Sequence, residues 1–172
     1  MIRILAEVAQ SQIGVREVGQ NGGAEIREYQ LATTLKPGPW PYCAAFVDWC
    51  IREWLERKNC APWLSLQTMT PETWRPKTAL AFGLIDWAKS RPNTTHILGE
   101  KAEVEAGDIV IFDFSHCGIV VRGFDGFIET VEGNTNNAGN REGDGVYRKI
   151  RPQKLARAFI RIRQSELAGT RR

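Results

Sequence analysis

The spacing of apolar positions changes near residue 107. Before it they recur every three to four residues, and after it they alternate, which are the periods of helix and strand. Residues 2–12 and 24–34 predict two helices, with Gly14 and the Asn21-Gly22-Gly23 turn near their ends. A third helix, from about Tyr42 to Lys58, puts Cys43, Val47, Cys50 and Trp54 on one face and Asp48, Arg52 and Glu56 on another. Cys50 is then a core residue, and Cys60 falls just past the helix with no assigned role. Residues 59–77 hold three prolines and no clear period, so they predict a loop. Trp63 and Trp74 within it either wall a cleft or anchor the loop. Residues 78–90 predict another helix. His96, in polar Asn93-Thr94-Thr95-His96, is expected as a solvated loop residue.

After residue 107 strands are predicted at about 108–114, 116–123, 127–134, 144–150 and 157–163. Turn signals at Asp125-Gly126 and from Asn140 to Gly145 separate some of them. Helices first and a meander of strands afterwards predict an α+β fold with an antiparallel sheet.

Composition adds limits. The 172 residues suit one domain, and no repeat or linker divides them; about 164–172 reads as a loose tail. No apolar stretch approaches the roughly 18 residues of a membrane helix. Polar residues from Glu7 to Gln12 interrupt the N-terminal run too early for a signal-peptide core. The expectation is a protein made in the cytoplasm. The four cysteines form no CxxC pair, which argues against a zinc site, and they are too few for a disulfide framework. Charge is uneven: residues 1–140 carry a net −4 and residues 141–172 a net +7. The basic end either attracts anionic polymer or lipid or is a solvated strand face with a frayed tail. No nucleic-acid motif accompanies it.

The candidate chemistry starts at Cys43, in Pro39-Trp40-Pro41-Tyr42-Cys43-Ala44-Ala45-Phe46. With Pro41 as the first helical residue, Cys43 lies in the first turn. Unpaired N–H groups and the helix dipole there favour an anion, hence a thiolate. The competing reading is a buried structural cysteine. Downstream, His116 opens a strand after a tight break, and Glu132 and Asn134 follow in Val131-Glu132-Gly133-Asn134. Cysteine, histidine and a carboxylate or amide form the constellation of nucleophile, base and orienting group.

These residues resemble a family. The order Trp40-Pro41-Tyr42-Cys43-Ala44-Ala45-Phe46-Val47, then Gly107-Asp108-Ile109-Val110 with Ser115-His116-Cys117-Gly118-Ile119-Val120, then Glu132-Gly133-Asn134-Thr135 is similar to CHAP-type cysteine amidohydrolases/peptidases. That family is related to the NlpC/P60 hydrolases and has a papain-like core. Ile13-Gly14-Val15-Arg16-Glu17, Asn21-Gly22-Gly23 and Tyr29-Gln30 resemble the opening of bacterial and phage members. The resemblance covers roughly residues 5 to 163. It departs at Tyr42, where many members have Trp or another residue, and at Cys117, where Val or Thr is common. It implies Cys43 as nucleophile, His116 as base, and Glu132 and Asn134 as third and fourth members. Of oxyanion donors it leaves only the Cys43 backbone N–H.

The implied activity is cleavage of amide bonds in bacterial peptidoglycan through a thioester, as an N-acetylmuramoyl-L-alanine amidase or a peptide endopeptidase. No cofactor and no metal are expected, since no DxDxDG-like loop is present. The implied partners are peptidoglycan stem peptides, with a holin, a secretion machine or lysis delivering a monomeric enzyme to the wall. Alternatives with the same chemistry are a small-amide amidase or acyltransferase, and an interbacterial toxin paired with an immunity protein. A catalytically inactive wall-binding module would be expected to lack the nucleophile or the base, and both are present.

Hairpin register decides whether Glu132 and Asn134 can reach His116. A two-residue turn at Asp125-Gly126 would turn both away. A three-residue loop, Phe124-Asp125-Gly126, would set His116 opposite Asn134 and Gly118 opposite Glu132. The longer loop is expected, with Asn134 the nearer partner and Glu132 filling the space over Gly118.

Overall fold

The computed structural model describes residues 1–66, 68–140 and 142–165. Six helices precede or flank the sheet: α1 (Arg3–Gln10), α2 (Ala24–Leu31), α3 (Cys43–Glu56), α4 (Cys60–Leu64), α5 (Pro71–Trp74) and α6 (Gly83–Lys89). Six strands follow: β1 (Thr95–Leu98), β2 (Ile109–Phe112), β3 (His116–Phe124), β4 (Phe127–Thr135), β5 (Gly145–Pro152) and β6 (Ala156–Ile162). All pairings are antiparallel, in the order β1-β6-β2-β3-β4-β5. The fold is therefore α+β, with helices packed on an antiparallel sheet.

Strand alternation sorts the sheet's two faces. Ile109, Ile111, Ile119, Val131 and Ile160 meet the helices in the main core. Val110, Phe112, Val120, Ile128, Ala156 and Phe159 form a smaller core on the other face. Burial on both sides explains why Ile109-Val110-Ile111-Phe112 is apolar throughout. The helix α3 is central: α1 and α2 pack against it, and it packs on β3 and β4. Its closest seat is Gly133, where a β-carbon would lie 2.7 Å from Phe46 Cβ. A side chain at that position would lift the helix off the strand.

Several expectations change. Residues 59–77 are not one loop. They hold α4 and α5, the latter capped by Thr70 and Thr73 in a reciprocal pair. Trp74 is fully buried, donates to Thr94 Oγ1 at 2.8 Å and meets Trp87 edge-on; half-buried Trp63 lies against Trp54. Both tryptophans anchor. His96 lies on β1, an edge strand paired only with β6, and its side chain is exposed. Ser165, assigned to the tail, is buried and its N–H donates to Leu64 O at 3.2 Å; residues 166–172 lie outside the described residues.

Asp48 is the clearest departure. It does not share a solvated face with Arg52 and Glu56 but is fully buried, 3.0 Å from Arg75. Arg75 also holds Glu72 through two bonds and donates to Ala32 O. Four described arginines of the basic C-terminal end are likewise partnered. Arg148 pairs with Glu129, Arg151 with Glu132, Arg157 with Asp113, and Arg161 with Asp108 and Glu105. Strand pairing thus offsets part of the charge asymmetry in space. No helix among the described residues is long and apolar enough to cross a membrane.

Candidate active site

The two prolines keep the chain out of helix up to Tyr42, the N-cap (φ −112°, ψ 17°), whose carbonyl accepts from Phe46 N–H at 2.8 Å. Cys43 is the first residue of α3, two places earlier in the helix than Pro41 as a first helical residue would imply. No acidic side chain occupies that first turn. The helix N-terminus therefore favours a thiolate without a competing carboxylate.

His116 is the first residue of β3, after Ser115 turns the chain with a left-handed φ of 59°. It is fully buried, and its ring stacks on Phe112 and Phe114 at 6.1 and 5.9 Å. Nε2 meets Glu132 Oε2 at 2.9 Å. Nδ1 is buried with no hydrogen-bond partner, which leaves it as the ring atom for the sulfur. Cys43 and Ser115 line one cleft of about 190 Å³ with Trp40, Leu35, Leu80 and Ala79.

Glu132 is bound through both oxygens. Oε1 accepts from Thr130 Oγ1 at 2.6 Å and Arg151 Nε at 2.7 Å; Oε2 accepts from Arg151 at 2.6 Å and faces His116. The carboxylate lies over Gly118, where a β-carbon would come 2.7 Å from Glu132 Cγ. The space over that glycine is thus filled by Glu132, as expected.

The register arises differently from the expectation. The hairpin has the two-residue loop: Phe124 pairs with Phe127, and Asp125 and Gly126 both have positive φ. Alone it would turn Glu132 away. But Val121 bulges from β3, so that Val120 pairs with Thr130 and Ile119 with Val131. The bulge restores the register that a three-residue loop would have set. Asn134 is not the nearer partner. It has a left-handed φ of 57°, where the β4–β5 pairing slips between Glu132 and Thr135. Strand alternation fails there, and neither ring nitrogen of His116 hydrogen-bonds to Asn134.

Electrostatics favour an ion pair. The Cys117 thiol, then the His116 imidazole and the Ala44 N–H, hold Cys43 well below the usual thiol range, against burial. Burial alone would lower the basicity of His116, but Cys43 and Glu132 raise it to about 9. Burial would raise Glu132, and Arg151 with His116 holds it at about 2. Burial pushes Cys117 and Cys50 well up, so both stay thiols. Near neutral pH the site is thiolate, imidazolium and carboxylate in series, the arrangement of a nucleophile with its general acid–base.

Sequence reasoning missed Arg151 and Thr130. Thr130 lies two residues before Glu132 on the same strand face and was within reach of a period-2 argument. Arg151 comes from the neighbouring strand, 19 positions away, and local spacing carried no signal for it.

No protein-family model and no curated protein matches the chain. In structure it is similar to Ly7917, with a TM-score of 0.54 and 15% identity over 94% of this chain and 62% of that one. The crystal structure of Ly7917 with the hydrolyzing product of MDP gives 0.48 and 13%, over 94% and 63%. The chain spans just under two thirds of those chains. At such identity the likeness is one of fold.

Proposed function

We propose that the chain is a cysteine hydrolase on a papain-like core that cleaves amide bonds of bacterial peptidoglycan through a thioester on Cys43. The observation that carries the reaction class is the series Cys43, His116, Glu132, with the sulfur at a helix start and the imidazole bound by a buried carboxylate. Peptidoglycan as substrate rests on the motif resemblance to CHAP-type enzymes. The Cys43 thiolate attacks the amide carbonyl, and the Cys43 backbone N–H binds the resulting oxyanion. The tetrahedral adduct collapses, and His116 gives its proton to the leaving amine. A water then adds to the thioester as His116 takes its proton, and the thiolate leaves. Digestion of purified sacculi by the wild type and by Cys43→Ala, with fragments identified by mass, tests the reading. New free amines on L-Ala mean amidase, and on a diamino acid or bridge mean endopeptidase. Identical digests from both proteins would refute it.

A further inference from the structure

From the bonds around Glu132 we infer that Arg151 is a positioning residue, acting through Glu132 to fix the carboxylate and to draw part of its charge away from His116. Arg151 donates from Nε and a terminal nitrogen to different oxygens of Glu132, at 2.7 and 2.6 Å. A two-pronged bond of this kind fixes the carboxylate plane as well as its place. The guanidinium is itself held. It donates to Gly139 O at 3.1 Å and lies over the Phe112 and Phe114 rings, at 5.2 and 5.4 Å. The same two rings stack on His116. Arg151 and His116 thus bind one carboxylate against one aromatic wall, away from water, where charges act strongly.

The consequence concerns the proton. An unshared buried carboxylate would bind an imidazolium too tightly for the ring to release its proton to a leaving amine. With Arg151 present, Glu132 stays ionised and compensated both when the ring is charged and when it is neutral. The charged or titratable groups that face this series are Cys43 from α3, Cys117 beside His116, Glu132 from β4, and Arg151 and Lys149 from β5. Only Arg151 among them is a permanent cation bound to Glu132.

The inference rests on the cysteine-hydrolase reading for its effect on turnover, but the ring titration needs no substrate. The chain has two histidines, so His96→Gln leaves His116 alone in the NMR spectrum. In that background Arg151→Met should move the His116 titration midpoint up by about one pH unit. Glu132→Gln should move it down. Arg151→Lys, which keeps the charge but not the fork, should restore the midpoint. In turnover, Arg151→Met should lower kcat by about 100-fold with KM little changed. Should the Met variant fail to fold, Arg151→Gln carries the same test. A midpoint that stays or falls in the neutral variant, with only the melting temperature lowered, would reduce Arg151 to a structural counter-ion and overturn the inference. Absence of wall cleavage by the wild type would sink the proposed function and leave the titration result standing.

Discussion

Replacing Asp48 by Asn should make the protein more resistant to unfolding at alkaline pH. Asp48 is fully buried, and burial pushes its carboxyl up from 3.8 to about 7, against the pull of Arg75. Between those two values the folded chain holds a proton that the unfolded chain releases. Stability is therefore highest below pH 4 on this account and falls as pH rises to about 7, after which the loss is complete. Just over three pH units, at about 1.4 kcal/mol each, make on the order of 4 kcal/mol. Asn keeps an oxygen for Arg75, and Arg75 keeps Glu72 as its anion, so the neutral variant leaves no bare charge. His116, raised from 6.5 to about 9, adds a decline of the same sign above pH 6.5, but it does so in both proteins. The comparison is thus a difference. Urea unfolding of wild type and Asp48→Asn from pH 4 to pH 8 should show the gap between them moving by several kcal/mol in favour of the variant. A gap constant to within about 0.5 kcal/mol, the ordinary scatter of a neutral substitution, would refute the reasoning.

Gly118→Ala should push Glu132 off the imidazole, because the new β-carbon would lie 2.7 Å from Glu132 Cγ and 2.9 Å from Val131 O. We expect about a 100-fold loss of kcat from a displacement of this size; unchanged turnover would show that the carboxylate has another route to the ring. Cys43→Ala and His116→Ala should each abolish hydrolysis and leave the circular dichroism spectrum intact, and the double variant should be no slower than either. Iodoacetamide near neutral pH should label Cys43 before Cys50, Cys60 and Cys117, as read by peptide mass; equal labelling of all four would count against a helix-start thiolate.

How much was legible depends on the range of the signal. The strands after residue 107 and the helix behind Cys43 were readable because their periods are local. His116 and Glu132 met because alternation plus one bulge put them on one face, although the expected loop length was wrong. β1 was missed because Thr95-His96-Ile97-Leu98 is short and polar at one end, and its only partner is β6. Asp48 read as part of a polar stripe because its partner, Arg75, lies 27 positions away. Asn134 as the nearer partner of His116 was misjudged for a different reason. Its left-handed backbone breaks the alternation that counting by twos assumes, and Asn, which tolerates that conformation, is only a weak mark of it.

The place of β6 has a consequence for how the protein comes into being. The last strand among the described residues lies between β1 and β2, so it is interior in space. Until Ile162 has left the ribosome, β1 has no strand neighbour and β2 shows an open edge of backbone N–H and C=O groups. The helices and the β2–β5 meander can form earlier, but the sheet cannot close without its final segment. Folding of the sheet therefore waits on β6, and the slow step is the long-range insertion of one short strand. A nascent chain arrested before Ala156 would carry every residue of the site and still lack the frame that holds them.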